Sequence, residues 1–422
     1  MLMFVTAALL AQTTPPALSL AEAERRTLEH QPAVRQAHAN AAVFDARSDQ
    51  TMALLLPSIN ASAQFTRSHG SFSRGGSAAG GVVTGGTTNF MSIGVSGTQT
   101  LWDFGAIERL RASDKTVDAA KATERAVTLQ VLLTTRRAFF ATQATRALVH
   151  VAKDALENQR THLNQIDQFV KAGLRTGIDL AQTQTLVANA ELQLVNARNA
   201  YRLARAQLRQ AISDPSLGDF EVADDSLPQT PREDEEVDVL VRRALDNRPE
   251  LSSVRHQLEA QSLTVRAQHS GYIPTLVASG AVSEAGTSPD ALGLNWSFGA
   301  ALSWNLFAGG LTAAQVREAR AAGDAVQSQL EAQLVQVRVD VETARLTVED
   351  QRSAISAATT AVSAAKAQLT LAEGRYTQGV GSVLELSDAQ ILATTAAAQL
   401  VQANLALSTA RAQLAAALGE MP

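Results

Sequence analysis

The chain has 422 residues, and its hydrophobic fraction of 45% includes only 4% aromatic residues, a balance that favours closely packed helices over a thick β-sandwich core. Its 36 basic and 41 acidic side chains leave a net charge of -5, so no overall basic field exists to hold nucleic acid. The sequence contains no cysteine, which excludes disulfides, thiolate metal sites and thiol catalysis.

The N-terminus resembles a secretory signal peptide. Residues 1–11, MLMFVTAALLA, form an apolar segment that ends in a small residue, although no basic residue precedes it. We therefore expect export of the chain, with cleavage after Ala11. No run of 18 or more apolar residues follows, so the sequence predicts no membrane-spanning helix, and contact with a membrane interior would require strands.

The rest of the chain consists of two halves with the same plan. Four pairs of segments match in order, at shifts of 217, 217, 205 and 206 residues: 30–32 with 247–249, 56–58 with 273–275, 101–102 with 306–307, and 171–174 with 377–380. The drop from 217 to 205 places 12 extra residues in the first half, within a Gly/Ser-rich segment at 67–88 that we expect to be a mobile loop. We predict a first repeat at 12–212, a linker at 213–234 and a second repeat at 235–419.

Each half is predicted to contain three helices. They span 17–56, 106–172 and 178–212 in the first half, and 235–271, 311–378 and 383–418 in the second. The longest helix of each half lacks proline and has few glycines, while Ala, Leu, Arg, Glu and Gln recur with helical spacing. At about 1.5 Å per residue, such a helix is a rod of roughly 100 Å, which must pack lengthwise against neighbours.

The last helix of each half shows a seam for that packing. Two rows of mostly aliphatic residues recur every seven residues and lie three positions apart. In the second half the rows are Leu386, Ala393, Leu400, Leu407 and Leu414, and Ala389, Ala396, Ala403, Ala410 and Ala417. In the first half they are Leu180, Val187, Leu194, Tyr201 and Leu208, and Thr183, Ala190, Ala197, Ala204 and Ala211. Heptad spacing predicts left-handed supercoiling with close helix approach, although an ordinary buried stripe is the alternative.

Between the helices the hydrophobic period changes from 3.5 to 2. Strands are predicted at 59–67, 89–101, 275–284 and 295–306, with apolar residues on one face and small or polar residues on the other. Such strands suit a lipid-embedded barrel, in which closure satisfies every backbone group. Four strands cannot close alone, so several chains would share one barrel, and three chains would supply twelve strands. A soluble hairpin packed on the helices is the alternative.

The tryptophans favour the membrane hypothesis. All three lie in or at the end of the predicted strands: Trp102, Trp296 and Trp304. Trp296 and Trp304 are eight residues apart on the apolar face, roughly the height of a lipid band on an inclined strand. We therefore predict that the three residues belong to a membrane aromatic belt.

Together these segments resemble the TolC-like outer-membrane efflux channels over essentially the whole mature chain. The resemblance rests on LLPS and YIPT before a strand, on LWDFG and LFAGG where a strand returns to a helix, and on RYTQGVGSVLELSDAQ between helices. It implies a mainly α fold with a small β part: a duplicated helix–strand–strand–helix unit whose very long, coiled-coil-like helices form an α-barrel. The four strands of each chain would contribute to a trimeric twelve-stranded β-barrel.

The same resemblance implies a function and a location. The chain would be the exit duct of a tripartite efflux or type I secretion system, in the outer membrane of a Gram-negative cell and extending into the periplasm. Its partners would be two further copies of itself, outer-membrane lipid, a periplasmic adaptor (membrane fusion) protein and an inner-membrane transporter that supplies the energy. At the adaptor contact, the resemblance places the turn residues Gly173, Leu174, Gly379 and Val380. The alternative is that these four only shape the turns.

Two carboxylates follow the second of these turns. Glu385 and Asp388 are three residues apart, on one face of a helix, and a threefold assembly would arrange them as two acidic rings. Such rings draw cations into a constriction, and the matching positions of the family form one. A carboxylate that only complements the dipole of a helix N-terminus is the alternative.

The predicted gate has two further members. The resemblance implies that Asp179 and Tyr376 form a hydrogen bond between neighbouring subunits and keep the tip closed. A family member has a gate-locking arginine where this chain has Gly381, so we expect either a weaker lock or a role for Arg175. The gate prediction therefore comprises Asp179, Tyr376, Glu385 and Asp388.

The sequence predicts no enzyme. None of its seven histidines forms an HxxxH or similar ligand pair, and no P-loop, no GxGxxG after a strand and no GxSxG elbow occurs. We expect no metal site and no cofactor. The competing hypothesis is an exported periplasmic or cell-surface coiled-coil structural protein without a channel. It explains the heptads but not the period-2 segments at matching places in both halves.

Overall fold

The computed structural model describes residues 17–72, 84–227, 229 and 231–420. The predicted signal peptide at 1–11 lies outside the described residues, as does the middle of the Gly/Ser-rich segment. Long helices dominate the chain, and one small sheet accounts for most of the strand residues. The predicted mainly α class with a small β part is therefore confirmed, and so is the duplicated helix–strand–strand–helix plan.

The two halves repeat the same order of elements. The first half contains β1 (Ala17–Leu18), α1 (Leu20–His30), α2 (Pro32–Ala53), β2 (Ser58–Phe72), β3 (Thr84–Trp102), α3 (Phe104–Lys171) and α4 (Gly177–Ile212). The second half contains β4 (Glu221–Val222), α5 (Val237–Asn247), α6 (Pro249–His269), β5 (Thr275–Gly286), β6 (Gly293–Ser303), α7 (Leu311–Thr377) and α8 (Val383–Ala417).

The first predicted helix of each half is in fact two helices. Residues 17–56 contain β1, α1 and α2, and residues 235–271 contain α5 and α6. The breaks fall at Gln31 and Arg248, whose ψ angles of 120° and 119° are extended. Each break directly precedes a proline, whose ring disfavours the helical conformation in the residue before it. The single-helix prediction was wrong because each of these prolines begins a second helix.

The first hairpin is longer than predicted. β2 and β3 pair from Ser58 with Thr98 to Phe72 with Thr84, so residues 67–72 and 84–88 are strand and not loop. Polar cross-strand contacts extend the ladder, including one of 3.2 Å between the hydroxyls of Ser68 and Thr88. The glycine and serine content of this segment concealed its alternation.

The last strand is shorter than predicted. β6 ends at Ser303, which pairs with Thr275, the first residue of β5. Pro274 precedes Thr275 and has no N–H to donate, so the ladder stops there. Trp304 therefore lies one residue beyond the strand.

The four long strands form one open antiparallel sheet in the order β2-β3-β5-β6. One face carries exposed apolar side chains, among them Ile59, Phe65, Val95, Trp296, Phe298 and Leu302. The other face carries mainly small or polar residues, such as Ser62, Gln64, Ser96, Ser297 and Gly299. β2 and β6 each have a partner on one side only, so the sheet has two free edges.

The predicted linker contributes to a core. Phe220 and Val222 are fully buried within residues 213–234, and β4 pairs in parallel with β1. Both residues join a cluster with Phe139 and Phe140 of α3, whose rings meet edge to face at 5.6 Å. The linker prediction was wrong for this stretch, because it relied on proline content and acidic bias and overlooked the apolar pair.

The described residues divide into two compact units that cut across the two repeats. One unit comprises residues 17–38, 123–251 and 332–420, and the other comprises 39–122 and 252–331. The sheet belongs entirely to the second unit. In the first unit, a separate apolar cluster joins α3, α4, α7 and α8 where these helices end or begin.

Among the described residues, α8 is the one helix long and apolar enough to cross a membrane, with a hydropathy of 1.2. The prediction of no membrane-spanning helix rested on uninterrupted apolar runs, and threonine and glutamine interrupt this helix. Much of the apolarity comes from alanine, and seven of the ten buried residues lie on the predicted heptad rows: Leu386, Ala389, Ala396, Ala403, Ala410, Leu414 and Ala417.

Candidate functional site

The candidate site lies at the two turns that join the long helices to the last helices. α3 continues into α4 through Gly173, and α7 continues into α8 through Gly379. Both glycines have left-handed φ angles, of 71° and 78°, which side-chain-bearing residues rarely adopt. A Cβ on either glycine would have no atom within 4 Å, so glycine is required by the backbone conformation and not by crowding.

Both turns use the same hydrogen bonds. The N–H of Leu174 donates to the carbonyl of Phe169 at 2.9 Å, and the N–H of Val380 donates to that of Arg375 at 3.0 Å. A second bond from each glycine N–H, to Val170 or Tyr376, completes a Schellman motif. The turn at the end of each long helix is therefore fixed by its own backbone.

The residue after each glycine is apolar and exposed. Leu174 is 71% exposed and Val380 is 69% exposed. In a Schellman motif the corresponding side chain often packs back on the helix, which these two do not do. Each turn thus offers an apolar side chain on a rigid backbone, which is a feature of contact surfaces.

Each last helix begins with a cap that involves one of the predicted gate residues, Asp179 through its carboxylate and Glu385 through its backbone N–H. The N–H of Thr176 donates to the Asp179 carboxylate at 3.3 Å. At the equivalent place in the second half, the N–H of Glu385 donates to the Ser382 hydroxyl at 3.0 Å. Asp179 and Glu385 therefore occupy the same position of their helices, in the first turn, where negative charge complements the helix dipole.

The two acidic residues of the predicted ring differ in their surroundings. Glu385 forms an ion pair with Arg375, with 3.1 Å between Oε1 and Nε, and both side chains are exposed. Asp388 is exposed and has no ion-pair partner among the described residues. Within one chain, Arg375 offsets the charge of Glu385, whereas no ion pair among the described residues offsets that of Asp388. Arg375 was not among the predicted site residues, since no short sequence spacing links it to Glu385.

Tyr376 lies at the centre of the cluster beneath the turns. Its side chain is 1% exposed, and its ring centroid lies 6.4 Å from that of Phe169. Val383, Leu386 and Ile166 complete its surroundings. The structure therefore ties α3, α7 and α8 together through this one ring.

The hydroxyl of Tyr376 has no hydrogen-bond partner among the described residues. Burial raises the pKa of Tyr376; the positive charge of Arg175 opposes this shift and the negative charge of Asp179 adds to it. The Asp179 carboxylate instead accepts from the backbone of Thr176. The predicted bond between Tyr376 and Asp179 is thus not made within one chain, and a bond between subunits stays a prediction.

Arg175 connects the two turns. Its guanidinium carbon lies 5.1 Å from the centroid of the Tyr376 ring, and its Nη2 donates to the carbonyl of Gly381 at 3.2 Å. Gly381 itself is crowded, since a Cβ there would lie 3.0 Å from the backbone nitrogen of Tyr376. Arg175 and Gly381 are equivalent positions of the two halves, so the one arginine serves both turns.

The three tryptophans of the predicted belt all belong to the second unit. Trp102 ends β3 opposite Leu276, and Trp296 lies on β6 with its ring centroid 6.0 Å from that of Phe298. Trp304 follows β6, and its indole N–H donates to the carbonyl of Tyr272 at 3.1 Å. All three side chains are exposed. Trp304 is thus anchored by a hydrogen bond outside the strand and does not continue the strand's apolar row.

The described residues contain no group of three or more His, Cys, Asp or Glu side chains that could hold a metal ion. The carboxylates at the turns are distributed between two helix starts, and Arg375 pairs with one of them. The arrangement is suited to contact and to charge selection.

Comparison with known proteins places this geometry in a family. Residues 25–213 and 240–420 match the sequence model of the family described as outer membrane efflux protein. The fusaric acid resistance protein FusA of Burkholderia cepacia is 27% identical over 244 residues, 55% of this chain and 45% of that protein. The chain thus spans about half the length of the curated relatives that it matches.

Solved structures show the same fold. The outer membrane protein VceC of Vibrio cholerae superposes with a TM-score of 0.81 at 18% identity, covering 95% of this chain and 96% of that chain. The CmeC outer membrane channel of Campylobacter jejuni superposes with a TM-score of 0.80 at 18% identity, covering 95% and 85%.

Proposed function

The chain belongs to the outer membrane efflux protein family, and we propose that three copies form a channel through the outer membrane that continues into the periplasm. The channel would be the exit duct of a tripartite efflux or type I secretion system. A periplasmic adaptor protein and an inner-membrane transporter would be its partners, and the transporter would supply the energy.

One observation carries the proposal: the sheet is open, and one of its faces is apolar and exposed. Phe298 and Leu302 are 76% and 68% exposed on that face. In hydrocarbon, a sheet with free edges would leave backbone groups without partners, so strands can cross a membrane only as a closed barrel. Three copies of the sheet would supply twelve strands, with the apolar face toward lipid and the polar face toward a water-filled lumen.

The tryptophans support this orientation. Trp296 projects from the apolar face, and Trp102 and Trp304 lie where β3 and β6 end, next to the helices. In barrels of this kind, aromatic residues concentrate where the hydrocarbon meets water. We assign Trp102, Trp296 and Trp304 to these boundary levels.

The turns would form the periplasmic tip. Leu174 and Val380 are the apolar side chains exposed there, and Gly173 and Gly379 fix the backbone that presents them. We propose that these four residues contact the adaptor. In a threefold assembly, Asp179, Tyr376, Glu385 and Asp388 would line or close the constriction above that contact. Asp388 would then contribute most of the uncompensated charge, because Arg375 pairs with Glu385.

Two neighbouring substitutions in β6 test the function. Ala300→Arg, midway between Trp296 and Trp304, places a charge on the apolar face, and Ala301→Arg places the same charge on the polar face. A lipid-facing arginine costs about 2–4 kcal/mol near the bilayer midplane, whereas a lumen-facing one is tolerated. We expect the first variant to be lost from the outer-membrane fraction, and the second to form trimers with altered conductance in planar bilayers.

The unmodified chain should fractionate with outer membranes as a trimer and conduct ions. A coiled-coil protein without a channel would stay soluble after salt washing, and the two arginine variants would then behave alike. That result would remove the channel proposal.

A further inference from the structure

The two hairpins of the sheet have the same register. Ala61 lies opposite Val95 in the first hairpin, and Ala278 lies opposite Ala300 in the second. Adding 217 to the residue number in the first strand and 205 to the residue number in the second strand converts the first pair into the second. The same conversion holds for all pairs from Thr275 with Ser303 to Ala285 with Gly293. The duplication seen in the sequence is therefore kept residue by residue in the strand pairing.

The sheet also contains a seam between the two hairpins. The second strand of one hairpin, β3, pairs antiparallel with the first strand of the other, β5. Along this seam Val95 lies opposite Val282 and Ser96 opposite Ala281. The free edges, β6 and β2, are the repeat equivalents of β3 and β5. Each edge thus has the sequence plan of a strand that already forms this seam.

We propose that β6 of one copy pairs with β2 of the next copy in the register of the internal seam. This inference rests on the proposed trimer and specifies its contact. The register follows from the pairs of the internal seam, when 205 is added to each residue number in β3 and 217 is subtracted from each residue number in β5. This places Ala300 opposite the partner's Phe65, Ala301 opposite the partner's Gln64, and Leu302 opposite the partner's Ala63. Three such contacts close the sheet with one repeated geometry.

Side-chain size and polarity support this register. On the apolar face, the small Ala300 meets the partner's Phe65, and the large Leu302 meets the partner's Ala63. On the polar face, Ala301 meets the partner's Gln64, and Ser303 meets the partner's Ser62. A slip by one residue would place the apolar row of one strand beside the polar row of the other.

A slip by two residues would keep the faces but lose the regular stagger. Ala61 pairs with Val95, and Val95 pairs with Val282, which is the repeat equivalent of Phe65. The step from the first strand of one hairpin to the first strand of the next therefore advances the position in the repeat by four residues. The apolar rows end at equivalent charged residues, Arg67 in β2 and Glu284 in β5. If the contact between copies also advances by four residues, Arg67 and Glu284 of all copies lie at the same height along the barrel axis. An advance of two or six residues would shift that level between strands.

Cysteine cross-linking tests the register, because the chain has no cysteine of its own. Ala301→Cys combined with Gln64→Cys should give dimers and trimers on denaturing, non-reducing gels after oxidation in membranes. Ala301→Cys combined with Ser62→Cys or Thr66→Cys should give on the order of tenfold less, because diagonal neighbours lie roughly 7–8 Å apart. That separation exceeds the Cα distance of about 4.4–6.8 Å that a disulfide usually spans.

The internal seam supplies a matched control. Ser96→Cys with Ala281→Cys is the equivalent pair within one chain, in the antiparallel ladder of β3 and β5. Formation of its disulfide is measured by the protection of both thiols from a mass tag. Opposed residues alternate between close and wide pairs along an antiparallel ladder. If this control stays open, the adjacent pair Ala300→Cys with Phe65→Cys is used, with Val95→Cys and Val282→Cys as its control.

The outcomes separate the register from the channel. A dominant product from a pair that is off by two residues would overturn the register while leaving the trimer. Absence of interchain product from every pair, in protein that sediments as a trimer, would overturn the contact between β2 and β6. A monomeric protein would remove the proposed channel together with the inference.

Discussion

The two helix-helix turns share a backbone and differ in their side chains. Each has a left-handed glycine, an exposed apolar residue and a capped start to the last helix. At equivalent positions, Val170 of the first turn corresponds to Tyr376 of the second, and Arg175 corresponds to Gly381. Duplication has therefore kept the turn geometry, while the side chains that carry ring contacts and charge have diverged. The two turns present similar shapes with different chemistry.

Removing the ring of Tyr376 should break this comparison most strongly. Tyr376→Ala leaves a cavity in a fully buried cluster and should cost about 3–5 kcal/mol, whereas Val170→Ala in the first turn should cost about 1 kcal/mol. Hydrogen exchange of the amides at the end of α7 and the start of α8 would measure the local opening. Equal effects of the two variants would show that the ring does not hold the turns together.

Tyr376→Phe separates the ring from the hydroxyl. Because the hydroxyl has no partner among the described residues, hydrogen exchange should change little. If the hydroxyl donates a hydrogen bond to Asp179 of a neighbouring subunit, the same variant should also raise the conductance of the trimer, because it removes that bond. Unchanged conductance would remove Tyr376 from the gate.

Replacing a turn glycine should have the next largest effect. Gly379→Val forces a β-branched residue to a φ of 78° and should destabilise the turn by about 1–2 kcal/mol. Gly374→Ala, in the last turns of α7 with open space around it, should stabilise the helix by about 0.5–1 kcal/mol. Efflux complementation and trimer content should be measured for both. Loss of trimers in Gly379→Val would indicate a folding role, and loss of efflux alone would support adaptor contact.

The arginines of the two turns should differ in importance. Arg175→Met removes a hydrogen bond and a ring contact that bridge the turns, and should cost about 1 kcal/mol. Arg375→Met removes an exposed ion pair and should cost about 0–0.5 kcal/mol. Limited proteolysis at the tip would compare the opening of the turns. A larger effect of Arg375→Met would contradict the bridging role of Arg175.

The acidic residues should affect stability least and selectivity most directly. Glu385→Ala combined with Asp388→Ala should lower cation selectivity in planar bilayers and raise conductance, because the constriction loses charge and bulk. Arg375→Met should have the opposite effect on selectivity, since it frees the charge of Glu385. Reversal potentials across a salt gradient would measure both. Unchanged selectivity in the double variant would remove both carboxylates from the gate.

The fold was predictable where periodicity is regular, and less so where one residue decides. The class, the duplication and the two-faced strands follow from heptad and period-2 patterns that extend over many residues. The breaks before Pro32 and Pro249 depend on single prolines, and burial of Phe220 and Val222 depends on an apolar pair within a polar segment. Such local features contribute little to a pattern averaged over a window.

The site shows a sharper division. Gly173 and Gly379 could be identified as turn residues because a left-handed backbone position is usually occupied by glycine. The pair of Arg375 with Glu385, and the reach of Arg175 to Gly381, join residues on different elements. No spacing along the chain encodes these contacts, since they depend on how the helices pack.

The stagger of four residues between hairpins would set the bore of the proposed barrel, if the inferred contact between copies keeps it. Six such steps around the twelve strands of the proposed trimer would give a shear of about 24, and the strands would be inclined by roughly 54° for about 3.3 Å per residue and 4.8 Å between strands. The barrel radius is then roughly 16 Å, against roughly 13 Å for strands inclined by 45°. Each residue then covers only about 1.9 Å of membrane height, so a lipid band of about 25 Å needs about 13 residues. β2 has 15 residues and β3 has 19, so the first hairpin is long enough to cross and to project beyond the lipid, whereas β5 with 12 residues and β6 with 11 are slightly shorter than this band.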